Sequence, residues 1–204
     1  MSKETNNPRH FFENQLAQFE SELSSASHKI RRISIIRIIV FLLTIIGIYV
    51  CSNIHLYALL IVGLIGFGFF IFLVIKHSKL YKKKKWYESL VGINNEELAL
   101  LDGKIENLPT GKEFINTDHP FTSDLDIFGN GSLFQLIDRS ATNKGRQKLA
   151  DRFIHPFKDT DKLVRRQQAI NELKNKPMWR QYFQAHGKLT NDEKFTIDSF
   201  INWA

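Results

Sequence analysis

Residues 119–156 read HPFTSDLDIFGNGSLFQLIDRSATNKGRQKLADRFIHP, the most particular residue order in the chain. Acidic and apolar residues alternate over 124–128, and the Gly-Asn-Gly turn at 129–131 leads into a helical run over 132–138. A short polar break follows. A second helical run ends at His155-Pro156, because the residue before a proline disfavours helical backbone angles. The pattern therefore predicts two helices separated by a break.

The two helices differ in the faces they should bury. The first begins at Ser132, whose hydroxyl can cap free backbone amides, and we expect it to have one apolar face, made of Leu133, Leu136 and Ile137. After the break, Gly145 allows either a close approach of chain segments or an unusual backbone angle. We expect the second helix to bury Leu149, Ala150 and Phe153. Its basic residues, Arg146, Lys148 and Arg152, should point outward.

Helical patterns continue after Pro156. Asp159, Thr160 and Asp161 are cap candidates for a third helix. One face of that helix contains Leu163, Gln167, Ile170 and Leu173, and Pro177 closes it. Further helices are expected from Met178 and over 195–203. These patterns predict a small all-helical domain over 132–204, and its apolar run leads us to expect that the domain extends beyond Ala204.

Two apolar runs precede this domain: 38–51 and 56–75 carry no charge, and the first membrane helix is expected over about 33–51, with Arg37 reaching toward the headgroups. A helix needs ~20 apolar residues to cross the hydrocarbon core of a bilayer, with a range of roughly 17–25. The link at 52–55 is so short that the two helices must form an antiparallel hairpin over 33–77. A cleavable signal peptide is the alternative for the first run, and the long polar stretch before it disfavours that alternative.

The positive charge of the chain is concentrated beside these two runs. Lys and Arg number 28 against 21 Asp and Glu, a net charge of +7. Basic residues lead into the first run at 29–37 and follow the second at 76–85, and the link has none. By the positive-inside rule both termini are cytoplasmic. The sequence therefore predicts a multi-pass protein of the cell (inner, cytoplasmic) membrane, with membrane lipid as a partner.

Small residues of the hairpin lead to two further predictions. Gly63, Gly66 and Gly68 should pack the second membrane helix against the first. The single cysteine, Cys51, excludes an internal disulfide.

Amphipathic helices are predicted on both sides of the hairpin. Over 1–32, a helix that starts at Asn7-Pro8 has apolar residues at alternating steps of four and three, namely Phe12, Leu16, Phe19, Leu23, Ala26 and Ile30. Over 78–108, a looser stripe contains Leu90, Ile93, Leu98, Leu101, Ile105 and Leu108, with a helix restart at Asn94 and its capping partner Glu97. We expect the two stripes to pair within one chain as a cytoplasmic stalk. A homodimeric coiled coil is the alternative for the first stripe.

The polar stretch over 109–131 is predicted to be a linker. Its Thr110-Gly111-Lys112-Glu113 is not a phosphate-binding loop, because Glu106 and Glu113 occupy the places where that motif needs glycine and Ser or Thr. The seven histidines lack metal-ligand spacing, and no carboxylates group into an acid/base pair. The sequence therefore predicts no catalytic residue, cofactor or metal ligand in this chain.

The helices after the linker resemble a known family. The positions that carry the resemblance are Leu133, Leu136, Asp138, Thr142, Gly145, Leu149, Pro156, Arg166, Gln167 and Ile170. Over roughly 125–173 their order and spacing resemble the start of the core (lever) domain of the MutS family of DNA mismatch repair ATPases. With a transmembrane hairpin in front, the chain is similar to a membrane-bound branch of MutS-related proteins.

This resemblance implies a role within a larger protein. In the MutS family the core domain carries no catalysis and connects a dimer of ATPase domains to the clamp that encircles DNA. An intact member would therefore bind ATP and Mg²⁺, form a homodimer and contact DNA, with the clamp and ATPase domains beyond Ala204. The hairpin takes the place of the mismatch-reading and connector domains, which leaves mismatch recognition open.

Two function hypotheses follow, from different classes. The first is a membrane-anchored MutS-related protein, of which this chain is the non-catalytic anchor and lever region. The second is a non-enzymatic membrane scaffold whose helical cytoplasmic domain binds protein partners; a basic membrane protein that tethers DNA is a third. Candidate contacts to a DNA backbone are Arg139, Lys144, Arg146, Lys148 and Arg152, and the alternative for them is a solvated helix face with salt bridges.

Overall fold

A computed structural model describes residues 7–52 and 56–190, and this part of the chain is helical without a β-strand. Its α-helices are α1 (Pro8–Ser52), α2 (Leu56–Leu101), α3 (Leu133–Ile137), α4 (Asn143–Ile154), α5 (Thr160–Lys174) and α6 (Pro177–Leu189). The all-α prediction is confirmed. The hairpin link at 53–55 and the helix expected over 195–203 lie outside the described residues.

The chain divides into two compact units. One, the hairpin unit, is Ala17–Glu88. The other, the C-terminal unit, combines Met1–Leu16 with Ser89–Ala204. Each long helix therefore contributes one part to each unit.

In the hairpin unit α1 and α2 pack side by side and antiparallel. The ring of Phe19 lies 6.3 Å from that of Tyr87, and the ring of Phe41 lies 6.2 Å from that of Phe70. Phe19 and Ala26 of the predicted apolar seam are each only 3% exposed. These two seam residues are thus buried within one chain, as the predicted intramolecular pairing requires.

The middle of the hairpin unit is apolar and exposed. Both long helices contain stretches long and apolar enough to cross a membrane, with mean hydropathies of 2.6 and 2.3 and only 6% of these stretches buried. Their closest packing is at Gly66, where an added Cβ would collide with the side chain of Thr44. The predicted packing role is confirmed for Gly66, whereas Gly68 has no atom within 4 Å of such a Cβ.

Helix α2 corrects two predictions. It runs without interruption through Asn94, so the predicted restart there is wrong. Asn94 Nδ2 instead donates to the carbonyl of Leu90 at 2.8 Å, a bond that suits a helix interior. The helix also ends at Leu101, before the predicted residue 108, because the chain turns at Gly103 with a φ of 77°.

The segment at 109–131 is irregular, but it is more than a linker. It contains a short 3-10 helix, Lys112–Phe114. Its Ile127 and Phe128 are 7% and 8% exposed and form a core with Phe134 and Ala150. The partly buried residues packed against that core are Phe114, Leu149, Phe153 and Ile154. The predicted inward positions of α4 are therefore confirmed, and half of the core comes from the supposed linker.

This core determines which face of α3 is buried. Phe134 is 0% exposed and its ring lies 5.3 Å from that of Phe128. The residues that we predicted to form the inner face, Leu133, Leu136 and Ile137, are 44%, 42% and 45% exposed. That prediction is wrong, because apolar residues on one side of such a short helix do not show where its core partner lies.

The predicted caps of the later helices are confirmed. Ser132 Oγ accepts from the amide of Gln135 at 3.2 Å, and Asp159 Oδ1 accepts from that of Asp161 at 2.9 Å. The two last described helices have little buried surface. In α5 only Leu173 is not fully exposed, and α6 buries Gln181 and Ala185.

Replacing Phe134 by alanine should lower the free energy of unfolding of the C-terminal unit by about 3–5 kcal/mol, the range for truncating a buried aromatic ring. Native-state hydrogen exchange of the α3 and α4 amides measures the loss. The matched control is Leu136→Ala on the same helix, which should cost less than about 1 kcal/mol because Leu136 is exposed. Equal losses for the two variants would mean that Leu136 lies on the buried face of α3, as the sequence predicted.

Candidate functional site

Gln135 is the most completely bonded buried side chain of the C-terminal unit. Its Nε2 donates to the carbonyls of Ile105 at 2.8 Å and Leu108 at 2.9 Å. Its Oε1 accepts from the amide of Gly131 at 2.8 Å. The residue is 2% exposed. One side chain thus ties the segment after α2 to the glycine turn before α3.

A second buried amide pair joins α2 to α6. Gln181 Nε2 donates to Asn94 Oδ1 at 2.9 Å. Asn94 is 0% exposed and Gln181 is 5% exposed. Since a buried amide without a partner costs about 1–3 kcal/mol, this pair fixes α6 on that face of α2.

Ion pairs surround the Asn94–Gln181 bond. Glu97 Oε1 lies 2.6 Å from Arg139 Nε, with both side chains more than half buried. Glu96 pairs with Lys188 of α6 at 2.7 Å. The last turns of α2 therefore hold both the break before α4 and the end of α6.

The end of α2 also holds the start of α1. Arg9 donates a hydrogen bond to Asp102 at 2.6 Å. This bond lowers the pKa of Asp102 and raises the pKa of Arg9. The carboxylate of Asp102 thus stays charged to lower pH than an isolated one, and the contact is lost only as pH falls through that lowered pKa.

Arg146 is a structural residue, and our prediction that it points outward is wrong. Its guanidinium lies 3.1 Å from Asp138 and 3.0 Å from Glu113. It also lies over the rings of Phe114 and Phe134, at 5.9 and 5.7 Å from their centroids. Because the side chain of Asp138 is only 3% exposed, Arg146 neutralises a carboxylate that the solvent does not reach.

The other candidate DNA contacts divide by exposure. Arg152 lies over the ring of Phe157 at 4.3 Å and 3.3 Å from Asp151. A hydrogen bond from His155 and the nearby Arg152 and Lys148 lower the pKa of Asp151. Lys148 is 69% exposed, and Lys144 is exposed without an ion pair to any other described residue. Lys144 and Lys148 are therefore the two basic side chains of α4 that remain accessible.

Three of the motif positions build the break between α3 and α4. Asp138 Oδ1 accepts from the amide of Ser140 at 2.9 Å, and Thr142 Oγ1 accepts from that of Gly145 at 3.1 Å. A Cβ at Gly145 would lie 3.1 Å from Thr142 Oγ1, so the close approach that we predicted is the reason for glycine there. These residues stabilise a turn.

Most of the remaining motif positions lie at the surface, and Leu149 packs against the aromatic core. Leu149, Pro156 and Arg166 line a shallow cavity of about 200 Å³. Leu133, Leu136, Gln167 and Ile170 are exposed. Among residues 7–52 and 56–190 no three His, Cys, Asp or Glu side chains form a group that could hold a metal ion.

The residues that organise this site were missed in the sequence. Gln135 is a polar residue inside the apolar run 133–137, and that contrast was the signal for a buried amide, whereas Asn94 and Gln181 have polar neighbours and gave no such signal. Their partners lie 27 to 87 positions away in the chain, so only the fold identifies them.

Comparisons with known proteins agree on one segment. Residues 114–196 match the family model of MutS domain III. A DNA mismatch repair protein MSH3 from Vanderwaltozyma polyspora is 33% identical over 89 residues, which are 42% of this chain and 9% of that protein. A DNA mismatch repair protein MutS from Aquifex pyrophilus is 40% identical over 45 residues, 22% of this chain and 5% of that protein.

A MutS from Persephonella marina is 33% identical over 64 residues, 29% of this chain and 7% of that protein. The chain spans less than a tenth of the length of these curated relatives. No solved structure gives a significant match. The family match begins at Phe114, which is the first residue of the observed aromatic core and lies inside the segment that we expected to be a linker. Through residues 114–196 the chain is similar to MutS domain III.

Proposed function

We propose that this chain is the membrane anchor and the first part of the lever of a MutS-related, DNA-binding ATPase, and that it has no catalytic activity by itself. The observation that carries the proposal is the domain III match over 114–196, in a unit that buried amides tie to the end of α2. An intact protein of this kind would bind ATP and Mg²⁺, form a homodimer and contact DNA outside this chain.

The exposed apolar surface of the hairpin unit supports the membrane part of the proposal. Large side chains such as Leu43, Leu64 and Phe67 are 62–76% exposed, and water would not favour so many of them. Basic residues flank this surface at 29–37 and 76–85. We therefore place both termini in the cytoplasm, on the inner face of the cell membrane.

Exposed apolar residues of the C-terminal unit support a lever that contacts more protein. In α3 they are Leu133, Leu136 and Ile137, and in α5 they are Leu163, Val164 and Ile170. Apolar patches of this kind mark surfaces that other protein segments cover. In this proposal the rest of a MutS-type core covers them.

The second candidate function is a non-enzymatic membrane scaffold. The aromatic pair on α6 favours it: Trp179 and Phe183 stack at 5.3 Å and remain 50% and 64% exposed, as in a surface that binds a protein partner. The reading frame beyond Ala204 separates the candidates. A GxxxxGK[ST] phosphate-binding loop downstream favours the ATPase, and a stop codon without a neighbouring ATPase gene favours the scaffold.

The proposal that DNA is contacted outside this chain is tested by measuring duplex binding to the whole chain reconstituted in lipid nanodiscs. We expect binding to a duplex to be weak, equal for matched and mismatched DNA, and to fall steeply with salt because it is electrostatic. We also expect no ATP turnover. Salt-insensitive preference for a mismatched duplex, or turnover by the pure chain, contradicts the proposal.

Arg146 and Lys144 on α4 separate a folding role from a DNA role. Arg146→Ala leaves the buried carboxylate of Asp138 without its partner, so it should lower the free energy of unfolding by about 2 kcal/mol. Lys144→Ala should change it by less than about 0.5 kcal/mol. Hydrogen exchange of α3 and α4 amides measures both.

Two lysines of α4 test whether this helix contacts DNA. Lys144→Gln with Lys148→Gln should reduce the salt slope of duplex binding by about 1–2, since each phosphate contact contributes roughly 0.9 to that slope. An unchanged slope would remove α4 from the DNA interface.

Topology is tested with single cysteines in a Cys51→Ser background. A thiol from Asn53→Cys should react with a membrane-impermeant maleimide added to intact cells, because the link faces outward. Thiols from Ser24→Cys and Ser123→Cys should react only after the membrane is opened. Equal reactivity of all three from one side would exclude a spanning hairpin.

A further inference from the structure

The hairpin unit carries the whole net charge of the protein. Residues 17–88 contain ten Lys and Arg and three Asp and Glu, which is ten minus three, or +7. The rest of the chain contains 18 of each sign and is neutral overall. The basic character of this protein is therefore a property of the hairpin unit alone.

The ten cations form what we call the cation belt. On α1 they are Lys29, Arg31, Arg32 and Arg37, and on α2 they are Lys76, Lys79, Lys82, Lys83, Lys84 and Lys85. The contact of Lys83 with Glu22 at 4.0 Å and that of Phe70 with Phe41 at 6.2 Å bracket 29–37 on α1 and 76–82 on α2. Since α1 and α2 are antiparallel between these contacts, the two sets of cations share one end of the hairpin.

Most of the belt is not neutralised within the protein. Lys83 pairs with Glu22, and Lys84 and Lys85 pair with Glu88. The other seven cations have no ion pair with any described residue. Lys76, Lys79 and Lys82 are exposed.

The distance of the belt from the apolar run matches the headgroup layer of a bilayer. A helix rises 1.5 Å per residue, so Lys79 and Lys82 lie roughly 6 and 10 Å beyond Ile75, the last apolar residue. Each headgroup layer is roughly 5–8 Å thick, and a lysine side chain can bend several ångströms back toward it. Tyr81 is 46% exposed and stacks on His77 at this level, where membrane proteins concentrate aromatic rings.

We infer that the cation belt binds the phosphate groups of anionic phospholipids, so that the hairpin gathers these lipids around itself. The inference rests on the proposed membrane anchoring. Orientation alone needs a small excess of positive charge, whereas seven unpaired cations at one membrane surface attract anionic lipid strongly, roughly fivefold for each cation near the surface.

The test uses the whole chain reconstituted in phosphatidylcholine vesicles that contain a trace of spin-labelled lipid. Electron paramagnetic resonance measures the fraction of label that the protein immobilises. Spin-labelled phosphatidylglycerol should associate at least about three times more strongly than spin-labelled phosphatidylcholine at low salt, and the ratio should approach one in about 1 M salt because salt screens exposed charges.

The variant removes three unpaired cations of the belt together, by Lys76→Gln, Lys79→Gln and Lys82→Gln. Its preference for phosphatidylglycerol should fall toward one. The matched control removes the same charge from exposed lysines outside the belt, by Lys112→Gln, Lys158→Gln and Lys174→Gln, and should keep the wild-type ratio. A wild-type ratio in the belt variant would overturn the inference.

The other outcomes identify which proposal fails. If the chain immobilises both lipids equally at low salt, the inference is wrong and the anchoring stands. If it immobilises neither, the anchoring itself is wrong. Inorganic phosphate at constant ionic strength should leave the ratio unchanged; loss of the ratio would assign the belt to free phosphate. Duplex DNA that binds wild type and control but not the belt variant, without any lipid preference, would make the belt a nucleic-acid surface.

Discussion

Buried side-chain amides must find hydrogen-bond partners, and the C-terminal unit depends on that constraint. Gln135 meets it with two carbonyls and one amide from irregular segments, and Asn94 meets it with Gln181. An apolar residue at position 135 would leave the carbonyls of Ile105 and Leu108 without donors, at a cost of about 1–3 kcal/mol for each group. A small aromatic core alone would permit many arrangements of these segments, and these few hydrogen bonds stabilise one of them.

The sequence predicted structural features that depend on neighbouring residues. It failed for features that depend on contacts with a distant segment of the chain. The caps at Ser132 and Asp159 were predicted correctly, because a capping side chain bonds to amides two or three positions away. The buried face of α3 was not, since it faces Ile127 and Phe128, which come from a stretch whose polar residues suggested a linker. Asn94 was misinterpreted for a related reason: asparagine is a common helix cap, and its bond to Gln181 cannot be seen from its neighbours.

The residues that carry the family resemblance are a signature of fold. Asp138, Thr142 and Gly145 shape a turn, and Leu149, Pro156 and Arg166 line a small surface cavity. Arg146, one of the five candidate DNA contacts, is bound to two carboxylates and lies over two aromatic rings. A resemblance built on such positions identifies a fold and locates no chemistry in it.

The two units differ in charge as well as in burial. The C-terminal unit has a buried core and is neutral overall, whereas the hairpin unit is largely exposed and carries the net charge of +7. In the C-terminal unit, Arg139, Lys188 and Arg9 are matched to acidic residues near the end of α2, so these three cations hold its own segments together. In the hairpin unit most cations have no such partner, and the surface between them is apolar. The net positive charge of +7 lies beside the apolar helices, so the hairpin unit, and not the unit with the family match, attracts anions more strongly.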